Sequence, residues 1–532
     1  MSSYVLSPFN QTCYQLINKY FGEIVGEVAK FLLRRRYGTL FNIKTGTGMS
    51  LWDVKRALAV LIHQNLVEFQ ANEQNPNIVD YSIIYHNAHC LLRYAKYLYT
   101  IKRIFGSSEE VLIEILLKIG QASASDLIFQ SANKLNEAID DVKVINPSDL
   151  YQSFQRLATE NFIIRCPKIV KSNAFVEKVP KLLEFEDEEK FIVPQLEMEP
   201  IAKLLREKAT QIGEHSDSEI IWRVNHQRFD VELRNVILVN AAARRVDEKA
   251  GHLYHLILKL WREANPAEAR ASKGVSHILI KDAVRKNDGR SPMLMEHFDQ
   301  YLRVLCEDST GLISRTGDSR GGQFAVNYAD VFENLACAIL DSVVLERFGT
   351  KALRIFKLTR MQKFIDQDHM QKLAMVSPKD AKTLSYKLME NNFLKIKELK
   401  KGTSNVGPVK SFNLFHVNLP EVVRGVLHSS YKCLSNAMER QTHDLTINKR
   451  LLERHADFEK TLEQLRGEDA PDNAIAEFSQ SMTVADKELV AKILKLSDNL
   501  TLAQSQADET ILILESYLKF HSMPMPMFYS MP

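Results

Sequence analysis

Apolar positions in residues 377–417 switch from one period to another, and the switch marks a phrase that recurs along the chain. Ser377, Pro378 and Asp380 open a helix with a capping side chain, a proline at the first helical position and an acid at the third. Leu384 and Leu388 carry that helix to Asn391 and Asn392. Phe393 to Lys397 then reads as a strand, 400–408 as a loop, and Ser411 to Val417 as a returning strand with alternating apolar residues. Helix, strand, loop, strand is the back half of a winged helix, a variant of the helix-turn-helix.

The phrase occurs twice earlier. Ser50 caps a helix through Ala57 and Leu61 to Asn65, followed by Val67-Glu68-Phe69. Ser148 starts another through Ser153 and Leu157 to Asn161, followed by Ile163-Ile164-Arg165. In all three a leucine stands four residues before an asparagine: Leu61/Asn65, Leu157/Asn161 and Leu388/Asn392. A looser fourth copy runs from Met293 to Leu305, with two extra residues before the strands at 311–315 and 323–326. The period is too long and uneven for a solenoid, which leaves tandem modules made by duplication.

In chain order, residues 1–9 read as an unstructured lead, and from Gln11 to about Arg36 the apolar positions fall at helical spacing. Residues 38–42 read as a strand, 72–77 as a wing, and 88–105 as a trailing helix. Ser107-Ser108-Glu109-Glu110 reads as a capping box opening a second module. Between 177 and 199 eight acids stand against three lysines, with Pro180 and Pro194, a pattern of an acidic insertion. Ile220 to Asn225 reads as a strand opening a third module, followed by long helices over 232–264, a turn at 287–290, a wing tip at 317–322 and a helix over 330–348.

After Pro420 two amphipathic runs follow. The first holds Leu427, Tyr431, Leu434, Met438, Leu445, Leu452, Phe458, Leu462 and Leu465. The second holds Leu489, Ile493, Leu496, Leu500, Ala503, Ala507, Ile511, Leu514 and Leu518. A polar break at 467–473 joins them, which predicts an antiparallel coiled-coil hairpin. The expected fold is mainly α with small β wings. It comprises winged helices over 9–105, 106–175, 216–348 and 349–419. An acidic linker over 176–215 holds a possible return strand of the second module. The hairpin occupies 420–520, and 521–532 form a disordered tail.

Composition narrows the chemistry. The 532 residues are 45% hydrophobic and 25% charged, with a net charge of +3, so a nucleic-acid role needs local clustering of charge. The six cysteines are scattered with no CxxC pair, which suits a reducing compartment and neither a disulfide framework nor a zinc site. No apolar run of about 18 residues and no leader-like segment is present, the pattern of a soluble intracellular chain.

Residues 351–410 concentrate the charge: fourteen Lys/Arg against five Asp/Glu. Lys382 and Lys387 fall on the third helix of the last module, Lys395, Lys397, Lys400 and Lys401 at its wing, and Arg354, Lys357, Arg360 and Lys363 on its first helix. Such lysines gain by counterion release and read no sequence. The plainer reading is a solvated basic face or a dock for an acidic partner. Arg315, Arg320, Lys55 and Arg56 are secondary DNA-contact candidates, for which ordinary surface charge is the favoured explanation.

Enzymatic signals are weak. Thr45-Gly46-Thr47-Gly48 lacks the third glycine and strand context of a dinucleotide loop. His86, His89 and Cys90 have ligand chemistry but no fourth ligand at a typical interval, so a half-buried histidine is favoured. Residues 186–189 are a charge run with no apolar frame to separate two carboxyl pKa values. Trp222 and Trp261 read as core anchors. No Walker loop, GxSxG or HExxH occurs.

The stretches Phe21-Gly22-Glu23-Ile24-Val25, Lys55-Arg56-Ala57-Leu58-Ala59-Val60-Leu61-Ile62-His63-Gln64-Asn65-Leu66-Val67 and Leu92-Arg93-Tyr94-Ala95-Lys96-Tyr97-Leu98-Tyr99 strongly resemble one family. It is the RNA polymerase III-specific subunit related to the alpha chain of general transcription factor IIE. The resemblance covers nearly the whole chain; the acidic insertion and methionine–proline tail lie outside it. It implies a nuclear, non-catalytic subunit without metal or cofactor. That subunit joins two other polymerase III-specific subunits in a subcomplex near the clamp, over the DNA cleft. It works with the TFIIB-related initiation factor and supports promoter opening for small untranslated RNAs. The alternative is a protein-only scaffold, as winged helices serve in proteasome-lid and cullin-type assemblies.

Overall fold

The computed structural model describes residues 6–521 apart from 73–74, 76, 139–145, 171–180, 184, 187–188, 207–214, 266–273, 287–294, 318–321, 402–409 and 468–481. Met293, the turn at 287–290, most of the third wing tip, the fourth wing loop, the polar break and the methionine–proline tail therefore lie outside the described residues. The chain is mainly helical with small antiparallel sheets. It divides into two compact units, Met1–Leu233 and Arg234–Pro532.

In the first unit, Ser7 caps the helix Pro8–Phe21, so the stretch read as an unstructured lead holds the start of a helix. The helical spacing over 11–36 belongs to two helices, Pro8–Phe21 and Glu23–Arg35. Gly22 separates them at φ +86°, a conformation that side-chain-bearing residues rarely adopt. The strand Tyr37–Thr39 is shorter than expected, because the Thr39 hydroxyl accepts from the Asn42 amide and starts the helix Leu40–Thr47. Gly46 sits in that helix against Phe31, where a Cβ would fall 2.1 Å from the ring. A packing contact thus accounts for this glycine, in place of a phosphate cradle. Helix Leu51–His63 follows, and strands Val67–Ala71 and Val79–Ile83 complete a sheet with Val79–Ile83 in the centre.

The second sheet corrects the expected boundaries. Strand Ile221–Val224 pairs with both Ala122–Ser123 and Ile163–Arg165. It is the returning strand of the second module, where the sequence pattern had suggested the start of a third. The inward alternation of Trp222 and Val224 explains the placement: Trp222 is fully buried, with its ring edge-on to Phe154 at 5.2 Å. The segment 176–215 is also more than a linker. Strand Lys181–Leu183 pairs with Lys168–Val170, and helix Met198–Arg206 inserts Ile201 and Leu205 among Ile128, Phe129 and Leu150. Helix Ser107–Ile119 starts after Gly106 with no side-chain cap, so the expected capping box does not form.

The asparagine of the repeated phrase has one structural job. Asn65, Asn161 and Asn392 lie at φ +53°, +64° and +60°. In each case the residue after it donates its amide to the leucine carbonyl five positions back: Leu66 to Leu61 (2.8 Å), Phe162 to Leu157 (2.9 Å) and Phe393 to Leu388 (2.8 Å). Each asparagine amide bonds three positions back, closing a Schellman end in which asparagine tolerates the left-handed turn. In the looser fourth copy Gly311, at φ +66°, stands between helix Phe298–Glu307 and strand Ser314–Gly317.

The second unit holds two further sheets, Ser314–Gly317 with Gln323–Ala325 and Val275–Ser276, and Lys395–Lys401 with Lys410–His416. Trp261 is buried on helix Glu248–Ala264. Helix Leu419–Ile447 and helix Val484–Phe520 run antiparallel: Tyr431 meets Glu515, Gln441 meets Gln504, and, beyond Lys449, Phe458 meets Lys487. Phe520 stacks on Tyr328 and Phe332 of helix Tyr328–Phe348, at 5.2 and 5.6 Å. The expected positions Tyr431, Leu434, Met438, Ile493, Ile511, Leu514 and Leu518 are buried, but the seam departs from the expected one at its far end and centre. Val490, Ile493, Gln504 and Asp508 are buried, whereas Leu489 and Leu496 are exposed. A hydrogen-bonded glutamine pair occupies the centre of the seam, and counting apolar residues alone skips it.

Candidate nucleic-acid interface

The last module presents the densest set of exposed cations. Its third helix, Pro378–Glu390, starts where the Ser377 hydroxyl accepts from the Asp380 amide at 3.2 Å. Ala381, Ser385 and Leu388 face inward. At helical spacing the opposite arc carries Lys379, Lys382, Thr383, Tyr386 and Lys387, all exposed. Tyr386 thus stands among three lysines. Lys379 and Tyr386 were not singled out from sequence. The inward pattern alone locates them, because Leu388 and Ala381 fix which side is out.

The wing register is continuous from Lys395 opposite His416 to Lys401 opposite Lys410. Lys395 and Lys397 share one face, as their two-residue spacing requires. They differ in what they touch. Lys395 forms an ion pair with Glu421 at the start of helix Leu419–Ile447. Lys397 Nζ lies 5.4 Å over the Phe364 ring, and that ring meets His416 edge-on at 5.4 Å. Burial and the charges of Lys397 and Lys395 push the His416 pKa down. For Lys400 and Lys401 only the backbone positions belong to the described structure.

Part of the charge cluster is internally neutralised. Lys351 pairs with Asp380 at 2.8 Å, and Lys357 and Arg360 share Asp341 at 3.4 and 2.9 Å. Among the described residues Arg354, Lys363, Lys379, Lys382, Lys387 and Lys397 have no acidic partner.

Arg315 lies on another sheet, opposite Phe324, and Arg320 is outside the described residues. Lys55 and Arg56 are in the first compact unit on helix Leu51–His63, where the Arg56 guanidinium stacks 4.2 Å from the Trp52 ring.

The histidine–cysteine group has a partner that sequence distance hid. His86 Nε2 lies 3.1 Å from Asp230, whose other oxygen accepts from Arg93 at 3.0 Å. Cys90 Sγ is 3.7 Å from His86. Burial alone would push the Asp230 pKa up, but hydrogen bonds from His86 and the charge of Arg93 hold it down to about 2. Burial would lower His86, but its bonds to Asp230 and Cys90 raise it to about 10. His86, Cys90 and Asp230 could by type and proximity hold a cation. Arg93 already supplies the carboxylate with a positive partner, so the geometry is that of an ion-pair network. Glu186 is exposed, in keeping with a solvated charge run at 186–189. Among the described residues no helix is long and apolar enough to cross a membrane.

Three family models match the chain in tandem. One described as RNA polymerase III subunit RPC82 helix-turn-helix domain matches residues 11–72. RNA polymerase III subunit RPC82 matches 152–335, and POLR3C, C-terminal winged-helix domain, matches 340–417. The last match ends with the strand Lys410–His416. Curated relatives named DNA-directed RNA polymerase III subunit RPC3 are similar over almost the full length. The Mus musculus protein is 30% identical over 527 residues, covering 95% of this chain and 97% of that one. The Homo sapiens and Danio rerio proteins are 29% and 28% identical at the same coverages.

Proposed function

Because the chain belongs to the family of RNA polymerase III subunit RPC3, we propose that it is a non-catalytic subunit of the nuclear polymerase whose last module grips DNA by its backbone. The observation that carries the DNA contact is the outward face of helix Pro378–Glu390, where Lys379, Lys382 and Lys387 surround Tyr386 without acidic partners among the described residues. Lys397 extends the same chemistry to the wing. These side chains neutralise phosphates and hold register; they do not read bases. The resemblance adds the finer assignment. The chain sits with two other polymerase-specific subunits near the clamp, meets the TFIIB-related initiation factor, and supports promoter opening. Tandem modules together with a long helical pair suit a subunit that holds several molecules at once. Arg315, Arg320, Lys400 and Lys401 remain part of the proposed DNA-facing set, on charge and wing position alone.

The test is a salt titration of DNA binding by the full chain. Converting Lys382, Lys387 and Lys397 to glutamate together lowers affinity and flattens the slope of log K against log salt by roughly 0.9 for each phosphate that is no longer neutralised. An unchanged slope would make this face a protein dock.

A further inference from the structure

Helix Leu51–His63 occupies in the first module the place that Pro378–Glu390 occupies in the last, yet its outward face has the opposite character. Val54, Ala57, Leu58 and Leu61 face the core. At 100° per residue the other side carries Trp52, Lys55, Arg56, Ala59, Val60 and His63 on one arc, all exposed. Trp52 is 63% exposed and Val60 39%. Lys55 and Val60 close the two edges of this arc. Trp52, Ala59, His63 and Arg56 lie between them, and Arg56 is already stacked on Trp52 at 4.2 Å.

A helix that reads DNA presents hydrogen-bonding groups to base edges or cations to phosphates. This face has no Asn, Gln, Ser or Thr, and the indole of Trp52, the methyl of Ala59 and the isopropyl of Val60 are interspersed round it with Lys55, His63 and Arg56. Tryptophan and arginine together are the residue types that dominate the buried centres of protein interfaces. Asp53 is the only acid between Leu51 and Leu66, and it is engaged with the Ser50 hydroxyl at 2.6 Å on the helix flank. The face is therefore apolar and cationic with no counter-charge of its own, and its complement is apolar and anionic.

We propose that the outward face of helix Leu51–His63, centred on Trp52 and Arg56, docks an acidic, amphipathic segment of another polypeptide of the polymerase. The surface divides labour with the last module: one helix before the wing for protein, one for phosphate. The assignment rests on the polymerase-subunit reading above.

The experiment uses the full-length tagged chain expressed in cells of its source, with p-benzoylphenylalanine at position 60, irradiated in the purified polymerase and mapped by mass spectrometry. The expected product is a cross-link to a polypeptide segment in which acids outnumber bases. A cross-link to nucleic acid, to a neutral or basic segment, or to nothing overturns the proposal. In parallel, Trp52→Ala and the charge-reversed Lys55→Glu/Arg56→Glu chain should each retain at least about tenfold less of the cross-linked polypeptide at limiting concentration, as truncation of an interface anchor does. Their DNA affinity should stay within about twofold of the parent. Wild-type recovery by both variants, or loss of DNA affinity with partners retained, also overturns it. Circular dichroism checks that the variants fold, which the exposure of all three side chains favours. If the unsubstituted chain brings down no polymerase subunit, the polymerase reading itself fails. If it does and the variants behave like it, only the docking face fails.

Discussion

The Phe393 amide donates to the Leu388 carbonyl at 2.8 Å, closing helix Pro378–Glu390 over Asn392 in the left-handed region. The bond sets the angle at which the chain leaves the helix and enters strand Lys395–Lys401. The same closure at Asn65 and Asn161 makes it a device of the duplicated module.

Asn392→Gly should therefore leave stability unchanged or slightly raised, since glycine takes this conformation without a Cβ penalty. Asn392→Val should cost about 1–2 kcal/mol, the penalty of a β-branched residue at positive φ. Thermal unfolding of the two variants separates them. Equal melting temperatures would mean that the turn conformation carries no stability.

That closure also shows what sequence makes legible. The Leu/Asn spacing exposes three copies because the Schellman end is a local device: the residue types and the hydrogen bonds lie within six positions. The cationic face of Pro378–Glu390 is legible for the same reason. Strand Ile221–Val224 is not, because its partners, Ala122–Ser123 and Ile163–Arg165, lie about 100 and 60 residues upstream, and nothing nearby says which module claims it. The neutralisation of Lys395 by Glu421 and of Arg360 by Asp341 is likewise invisible to a local charge count. So is Asp230, which lies about 140 residues after His86 and draws it into an ion-pair network.

Two lysines that a charge count treats alike, Lys382 on the helix and Lys395 on the wing, should behave differently. Lys382→Gln removes an unpaired cation and should flatten the salt dependence of DNA binding by roughly 0.9 in slope. Lys395→Gln should change it less, because Glu421 already holds that ammonium. Glu421→Gln should raise affinity at low salt by freeing Lys395. Fluorescence anisotropy across a salt series measures all three, and equal effects of the two lysine variants would contradict the pairing.

Gln441 and Gln504 form the polar layer of the long helical pair. Gln504 Nε2 donates to Gln441 Oε1 at 3.0 Å, and Gln441 Nε2 donates to the Ser497 and Thr501 hydroxyls, each at 3.0 Å. Both glutamines are buried. Gln504→Leu should cost about 1–3 kcal/mol by leaving the Gln441 carbonyl without its donor. Leucine at both positions should be neutral or stabilising, yet relax the register that a single polar layer enforces. Calorimetry reads the first effect. Spin-label distances between helices Leu419–Ile447 and Val484–Phe520 read the second, as a broader distribution in the double variant.

The ion-pair network at His86 gives the first unit a two-sided pH dependence. His226 stacks at 8° to the Tyr94 ring, and burial together with the nearby His86 charge lowers its pKa to about 4. A histidine lowered on folding takes up its proton more readily when unfolded, so stability falls as pH drops from about 6.5 towards 4. Asp230 works on the same side at lower pH: its stabilisation is complete above about 4 and is lost as pH falls towards 2. His86 has the opposite sign. Its raised pKa means that its contribution is full below about 6.5 and is lost as pH climbs through about 10. His226→Phe keeps the stacked ring and removes the titration, so the melting temperature of that variant should vary less between pH 6.5 and 4 than that of the parent. His86→Gln should flatten the alkaline limb instead. Parallel acid limbs for the parent and His226→Phe would mean that His226 takes up its proton as readily in the folded chain as in the unfolded one, and that its burial does not set the acid stability of this unit.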